Sequence, residues 1–473
     1  MSAGCVRRDQ FRFVQNQPEC FGGRDTLHKN DGEKRLWPSV ECRHTLYTVG
    51  FIEFDGRGRF IDPQQETKAL ALIDQARKNA AGGKVIAVVY VHGWRNNASE
   101  AMQGGKPKDV ERFQSALLEL GYRSREAARQ AGGGASPIPV VGVYMGWRGK
   151  SLKGPGWFSF LSYWGRRNAA NHVGDGPDFA TALTHVIDTV NDAETGSRLV
   201  LIGHSFGARV LEHAIETRSV SLYRSAPGST TLAPLVDLAL YVNSANDARL
   251  SMARVQALRD RPIQVRHPDF DAARCQRPGE PGTARCRDYP LLVAITSRGD
   301  LATKYLLPIA NSLNLDDSAP APAPPSGTFL DRIPSQSVYK RAAAGHMTFL
   351  QSHVVRPVLC PEPSGATPAA RRESMLRPVC AADDAFCRFV FRTPSERPLC
   401  FQTDQRAGVE VSGGRREPFN QTAFWIMDVD PVVIKDHGDI WNLSFVEMLG
   451  QLMAPRGFFE PGVGRVQLRA MSP

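Results

Sequence analysis

The chain has 473 residues, enough for a large core and, by length alone, for two or three domains. Its composition is ordinary for a globular protein, 42% hydrophobic and 22% charged, and no apolar run reaches the ~18 residues that a membrane-spanning helix needs. The formal charge of +10 rests largely on arginines that are scattered rather than gathered into a stripe. That pattern favours a solvated basic surface over nucleic-acid binding, although such a surface also suits an anionic membrane.

Residues 5–45 are polar and read as an irregular N-terminal extension. Tyr47 to Phe54 is β-rich and partly alternating, and Asp55-Gly56-Arg57-Gly58 marks a turn. With Arg59 to Ile61 this predicts a hairpin at the leading edge of a sheet. Gln65 to Ala81 carries Leu70, Ile73 and Ala76 at helical spacing and is ended by Gly82-Gly83. Val85 to Val91 is continuously apolar, as expected of a strand buried on both faces of a parallel sheet, and His92-Gly93-Trp94 follows it. Asp109 to Ala128 predicts a helix and Pro139 to Met145 a strand, ending at Gly146-Trp147-Arg148-Gly149. The aromatic stretch from Lys150 to Arg167 is expected either as a lid or substrate-lining element or as a loop packed on the core. Phe179 to Val190 predicts the next helix.

Leu199 to Ile202 is a further buried strand, and Gly203-His204-Ser205-Phe206-Gly207 then fits the Gly-x-Ser-x-Gly nucleophile elbow. A serine between strand and helix takes a strained backbone, and the two glycines remove side chains that would clash there. Ala208 to Ile215 continues as a helix, whose positive end lies beside the hydroxyl. Leu235 to Asn243 and Tyr289 to Thr296 predict strands, with an excursion over 261–290 between them and Ser297-Arg298-Gly299-Asp300 after the second. Ser318 to Gly327, rich in Ala-Pro, reads as a semi-extended linker. Residues 346–420 have little periodicity and read as a stapled insertion. Ala423 to Ile434 predicts the last strand, Lys435-Asp436-His437-Gly438-Asp439 follows, and Leu443 to Leu452 predicts a closing helix.

Strands alternating with helices indicate a three-layer α/β fold, a mostly parallel central sheet with helices on both faces. At this point the chain resembles the α/β-hydrolase superfamily, of the serine esterase and lipase type. Within it the chain is most similar to a bacterial branch with a Trp-Arg-Gly loop and a His-Gly-Asp-Ile-Trp ending. The resemblance covers roughly residues 45–250, 289–312 and 423–453. The expected organisation is an extension over 1–45, an α/β-hydrolase domain over 46–453 with Cys-containing insertions at about 146–168, 260–288 and 313–422, and a tail over 454–473.

A serine hydroxyl needs a base to take its proton as it attacks, and the superfamily order is Ser, then Asp or Glu, then His. The resemblance therefore implies Ser205 as nucleophile, Asp300 as the acid that orients the imidazole, and His437 as base. Asp247 is the alternative acid; Asp436 and Asp439 flank the base too closely. His346 and His353 lie downstream but follow no predicted strand, and His346 suits a loop or helix cap. The backbone N–H groups of Trp94 and Phe206 are expected to form an oxyanion hole, supported by Gly203, Gly207, His92 and Gly93. His92 and His204 are expected to pack beside the site rather than act in it.

The implied activity is hydrolysis of a carboxylic ester, or a related acyl bond, through an acyl-enzyme, on a small-molecule or lipid-like substrate and without metal or cofactor. Acyl transfer to an alcohol, and a non-catalytic scaffold binding a partner at the cell envelope, are the alternatives. Nine cysteines occur and no Cys-x-x-Cys pair, so a zinc site has little support. Cys20 and Cys42, Cys275 and Cys286, or Cys387 and Cys400 could staple loops, which implies an oxidising compartment. Met1-Ser2-Ala3-Gly4-Cys5 resembles the small-residue end of a bacterial lipoprotein signal whose charged and apolar parts are not in this sequence. It is either what is left of a longer start or an accidental match. Lipidation at Cys5, membrane association through that anchor, and export are the expectations it carries, with a cytoplasmic location as the alternative.

Overall fold

In the computed structural model of the chain, the continuous apolar runs become the inner strands of one sheet. The structure describes residues 46–93, 96, 98, 109–131, 135–147, 163–191, 196–218, 220–225, 232–258, 290–309, 342–348, 350–359 and 422–453, together with short strands at 29–31, 34–36, 40–43, 389–391, 399–405, 409–411 and 415–417.

The main elements, in chain order, are β1 (Val40–Arg43), β2 (Tyr47–Phe54), α1 (Pro63–Asn79), β3 (Ile86–Val91), α2 (Asp109–Ala131), β4 (Val140–Trp147), α3 (Tyr163–Gly174), α4 (Pro177–Asn191) and β5 (Arg198–His204). They continue as α5 (Phe206–Glu216), β6 (Leu238–Val242), α6 (Ala248–Leu258), β7 (Leu292–Ser297), β8 (His353–Leu359), β9 (Phe389–Phe391), β10 (Leu399–Gln405), β11 (Phe424–Val429) and α7 (Leu443–Met453). The sheet has eleven strands in the order β9-β10-β8-β11-β7-β6-β5-β3-β4-β2-β1. The eight from β8 to β2 are all parallel, and β9, β10 and β1 add antiparallel edges.

Alternate residues of the inner strands serve two cores. From β3, Ala87, Val89 and Val91 join the cluster that contains Leu72 of α1, Ala170 of α3, Leu183 of α4, Leu211 of α5 and Val255 of α6. Ile86, Val88 and Tyr90 face the other way, onto Leu117 of α2 and Leu449 of α7. A strand covered on both faces has no polar side, which is why these runs read as unbroken apolar sequence. Each fully buried aliphatic side chain contributes roughly 1.5–3 kcal/mol. Local signals set the helix starts: Asp62 accepts a hydrogen bond from the Gln64 N–H (2.9 Å) with Pro63 in the first turn, and Asn442 caps α7 through the Phe445 N–H (2.9 Å).

The structure corrects or sharpens five sequence expectations. The predicted leading hairpin is a short one, a single Phe54–Phe60 bridge flanked by the Asp55 N–H bonding the Arg59 carbonyl and the Ile61 N–H bonding the Glu53 carbonyl (both 2.9 Å), while β1 pairs with the other half of this edge at Tyr47 to Gly50. Here β1 emerges from the segment expected to be irregular. Part of the expected insertion over 346–420 enters the sheet as β8, paired with β11 and β10. The aromatic stretch passes into α3, which begins at Tyr163. The last strand ends at Val429 rather than Ile434, since Pro431 has no N–H for the ladder and the chain turns there.

Cys5, the aromatic residues 148–162, the linker at 318–327 and all nine cysteine side chains lie outside the described residues, and the expectations about them with it. Among the described residues no helix is long and apolar enough to cross a membrane.

Candidate active site

Parallel strands deliver all their C-terminal loops to one edge of the sheet. At that edge the chain changes direction: β3 is followed by β4 on one side, whereas β5, on its other side, is followed by β6 further away. Such a switch point leaves a crevice at the strand ends. Ser205 follows β5 there, His92 and Gly93 follow β3, Asp300 follows β7, and His437 follows β11.

Ser205 has φ 56° and ψ −121°, an uncommon conformation for a residue with a side chain, which costs of order 1–3 kcal/mol. Its surroundings hold it there. Its N–H donates to the Val242 carbonyl (3.0 Å), and its own carbonyl accepts from Arg209 and Ala245 (both 3.2 Å). A methyl group on Gly203 would stand 2.6 Å from the Ala208 Cα, and one on Gly207 would overlap the carbonyl oxygens of Val91 and His92. Only glycine lets α5 start this close to β3 and β5. Phe206 is the first residue of α5, so its N–H lies at the helix's positive end.

Three side chains meet at this edge. The Ser205 hydroxyl donates to His437 Nε2 (2.6 Å), and His437 Nδ1 donates to Asp300 Oδ2 (2.9 Å). Ser205 is 3% exposed and Asp300 is wholly buried, while the His437 side chain keeps 30% exposure. The imidazole is therefore open to solvent while the carboxylate stays dry. The Asp300 carboxylate also accepts from the Ala302 N–H (2.9 Å), the Thr303 N–H (3.1 Å) and the Thr303 hydroxyl (2.6 Å). Burial pushes this carboxyl up, but the hydrogen bonds from His437 and Thr303 outweigh it and hold it below its ordinary range.

The chain of contacts runs one step further. Thr303 has a single hydroxyl proton and gives it to Asp300, so its oxygen accepts from His346 Nε2 at 2.9 Å. His346, a loop or cap residue on sequence grounds, thus stands behind the acid. No local pattern signals this, because residues 303 and 346 come from separate segments brought together by the fold.

The other residues singled out in the sequence have different work. His353 packs its ring on Trp425 (centroids 4.2 Å apart) and bonds the Ser352 hydroxyl through Nδ1. Burial holds its imidazolium down at about 3. Asp247 is engaged by Arg249 (2.7 and 2.8 Å) and Arg167 (4.0 Å), away from the imidazole. Asp436 and Asp439 shape the loop around the base by accepting from the Gly438 and Lys435 N–H groups.

His92 accepts at Nε2 from the Trp147 N–H (3.0 Å), so its proton is on Nδ1, which donates to the Gly93 carbonyl (2.9 Å). Trp147 returns a bond from Nε1 to the His92 carbonyl (2.9 Å) and stacks on the ring. Burial lowers this imidazolium to about 4, so His92 is a neutral brace pinning the β3 turn to the end of β4. The turn is close to Ser205: a methyl on Gly93 would lie 2.9 Å from the Ser205 Cβ. Trp94, the other expected oxyanion donor, is outside the described residues.

Among the described residues no group of three or more His, Cys, Asp or Glu side chains is arranged to hold a metal ion. No protein-family model matches the chain, and no curated protein matches it.

Proposed function

We propose that the chain is a serine hydrolase of the α/β-hydrolase fold that cleaves a carboxylic ester, or a related acyl bond, through an acyl-enzyme. The observation that carries this reading is the unbroken hydrogen-bonded series Ser205–His437–Asp300 with the serine at positive φ. In the first half-reaction Ser205 Oγ attacks the acyl carbonyl while His437 Nε2 takes the hydroxyl proton. The imidazolium then gives that proton to the departing alcohol. Asp300 stays ionised throughout and stabilises the imidazolium. Water attacks the acyl-enzyme in the second half, activated by the same imidazole. The Phe206 N–H and, on this reading, that of Trp94 hold the oxyanion, each donor being worth on the order of 3 kcal/mol in the transition state.

Support for an apolar acyl group comes from the turn after Asp300, where Leu301, Tyr305, Leu306 and Ile309 are exposed. Lipidation of Cys5 and export belong to the same proposal and are open to metabolic labelling with a fatty-acid probe in a bacterial host. The central test is labelling by a fluorophosphonate together with hydrolysis of p-nitrophenyl esters of rising chain length. Wild-type protein should react and Ser205→Ala should not. An inert wild type, or labelling that survives the substitution, would end the proposal.

A further inference from the structure

We infer that His204, the residue before the nucleophile, is a positioning residue for the base: its Nε2–H holds the His437 carbonyl and so ties nucleophile and imidazole into one unit. The inference rests on the serine-hydrolase reading above and deepens it.

The base needs such a hold. His437 arrives on a loop from β11, and a side chain with 30% exposure is not fixed by packing alone. What fixes the loop is a set of bonds to its carbonyl oxygens. The Ser297 hydroxyl donates to Ile434 (2.5 Å), and the Asn243 amide reaches Asp436 (3.4 Å) and His437 (3.3 Å). On His437 itself the short bond is from His204 Nε2, at 2.7 Å. A carbonyl can only accept, so Nε2 carries the proton and Nδ1 is bare. Burial lowers the imidazolium to about 3, which keeps the ring neutral, and the carbonyl it faces sets the tautomer.

Space-filling alone does not explain the residue. His204 is 5% exposed, and its Nδ1 has no hydrogen-bond partner among the described residues. Burying a bare ring nitrogen costs stability that a leucine would not incur. The ring also lies beside three parts of the site. It adjoins Ser205 in the chain, its Nδ1 would stand 2.9 Å from a methyl on Gly93, and its centroid is 5.2 Å from that of His437. An error in its placement would move nucleophile, oxyanion turn and base relative to one another.

The test uses p-nitrophenyl butyrate hydrolysis and the rate of fluorophosphonate labelling in His204→Gln, His204→Asn and His204→Leu. The glutamine amide nitrogen falls where Nε2 stands; that of asparagine falls at Nδ1. Gln should keep kcat within about threefold of wild type, whereas Asn and Leu should lose on the order of 10- to 100-fold in kcat with KM unchanged. A Leu or Asn variant as fast as wild type, or all three equally slow, overturns the inference. Nitrogen NMR of histidine-labelled wild type decides the matter even if the variants fail to fold: a protonated Nε2 and bare Nδ1 support it, and a protonated Nδ1 overturns it. A wild type that ignores the fluorophosphonate defeats the hydrolase reading itself, whereas a reactive wild type beside an unaffected Leu variant defeats only the role of His204.

Discussion

Replacing Thr303 by valine removes one hydroxyl from the buried end of the site and leaves its shape. Thr303 is 1% exposed and Asp300 is wholly buried, so water cannot take the hydroxyl's place. The change deletes a 2.6 Å bond to an ionised carboxylate and strips His346 Nε2–H of its acceptor. A hydrogen bond to a charged group is worth roughly 1.5–3 kcal/mol, and an orphaned donor adds to that cost. Asp300 has a lowered folded pKa, so its contribution is complete above the unfolded value and is lost as pH falls through the folded one. The deficit of Thr303→Val in urea unfolding should therefore be full at neutral pH and shrink in acid below the ordinary carboxylate range. Kinetics give a second reading. On the proposed hydrolase reading, a carboxylate with one donor fewer is a stronger partner for the His437 imidazolium, so the acid limb of kcat/KM should move to higher pH. A variant as stable as wild type at neutral pH, with its acid limb unmoved, would refute the reasoning.

Two other substitutions probe the frame around the site. Gly207→Ala drives a methyl into the Val91 and His92 carbonyls, backbone atoms that cannot swing aside; it should cost at least about 3 kcal/mol, read as loss of soluble protein or a collapsed unfolding midpoint. Glu212, buried in α5, accepts from Asn246 and Ser251, and burial lifts its carboxyl from 4.5 to about 7. Between those values the unfolded chain has released a proton that the folded one keeps, so stability falls as pH rises and levels off above about 7. The total is on the order of 3 kcal/mol. Glu212→Gln should flatten this slope in unfolding measured from pH ~5 to ~8, and an unchanged slope in the variant would assign it to another group.

Much of the inner sheet is legible in sequence because burial on two faces leaves only apolar choices: Ile86 to Val91 and Leu292 to Ile295 show it without help from the fold. The elbow is legible for a related reason, since close approach at Gly203 and Gly207 admits one residue type. At the edge that logic weakens. β8 contains Arg356 and Pro357, which an inner strand would exclude, and it meets β11 over only three residue pairs while it pairs with the edge strand β10 over all seven. Nothing in its composition separates it from a loop. The supports of the site are hidden differently. Asn243 and His346 are common polar residues whose partners lie 43, 54 or more positions away, and Thr303, though only three residues from Asp300, meets His346 43 positions on, so these links arise only when the strand ends are brought side by side. Asn243 leaves one trace, its φ of 47°, and that too is a property of the folded chain.

The order of the strands acts as a ruler for the segment that carries His437. β11 stands three places from β5, with β7 and β6 between them. At ~4.8 Å per place the imidazole must travel back about 14 Å to reach the hydroxyl. Residues 430–437 make that crossing, and part of their contour is already consumed by the turn that joins the Val433 N–H to the Asp430 carbonyl. Part of the reach of this tether is thus already spent. Insertions elsewhere along this edge can lengthen a loop without disturbing the distances between strands, but a shortening here would leave the hydroxyl and the carboxylate in place with no ring to bridge them.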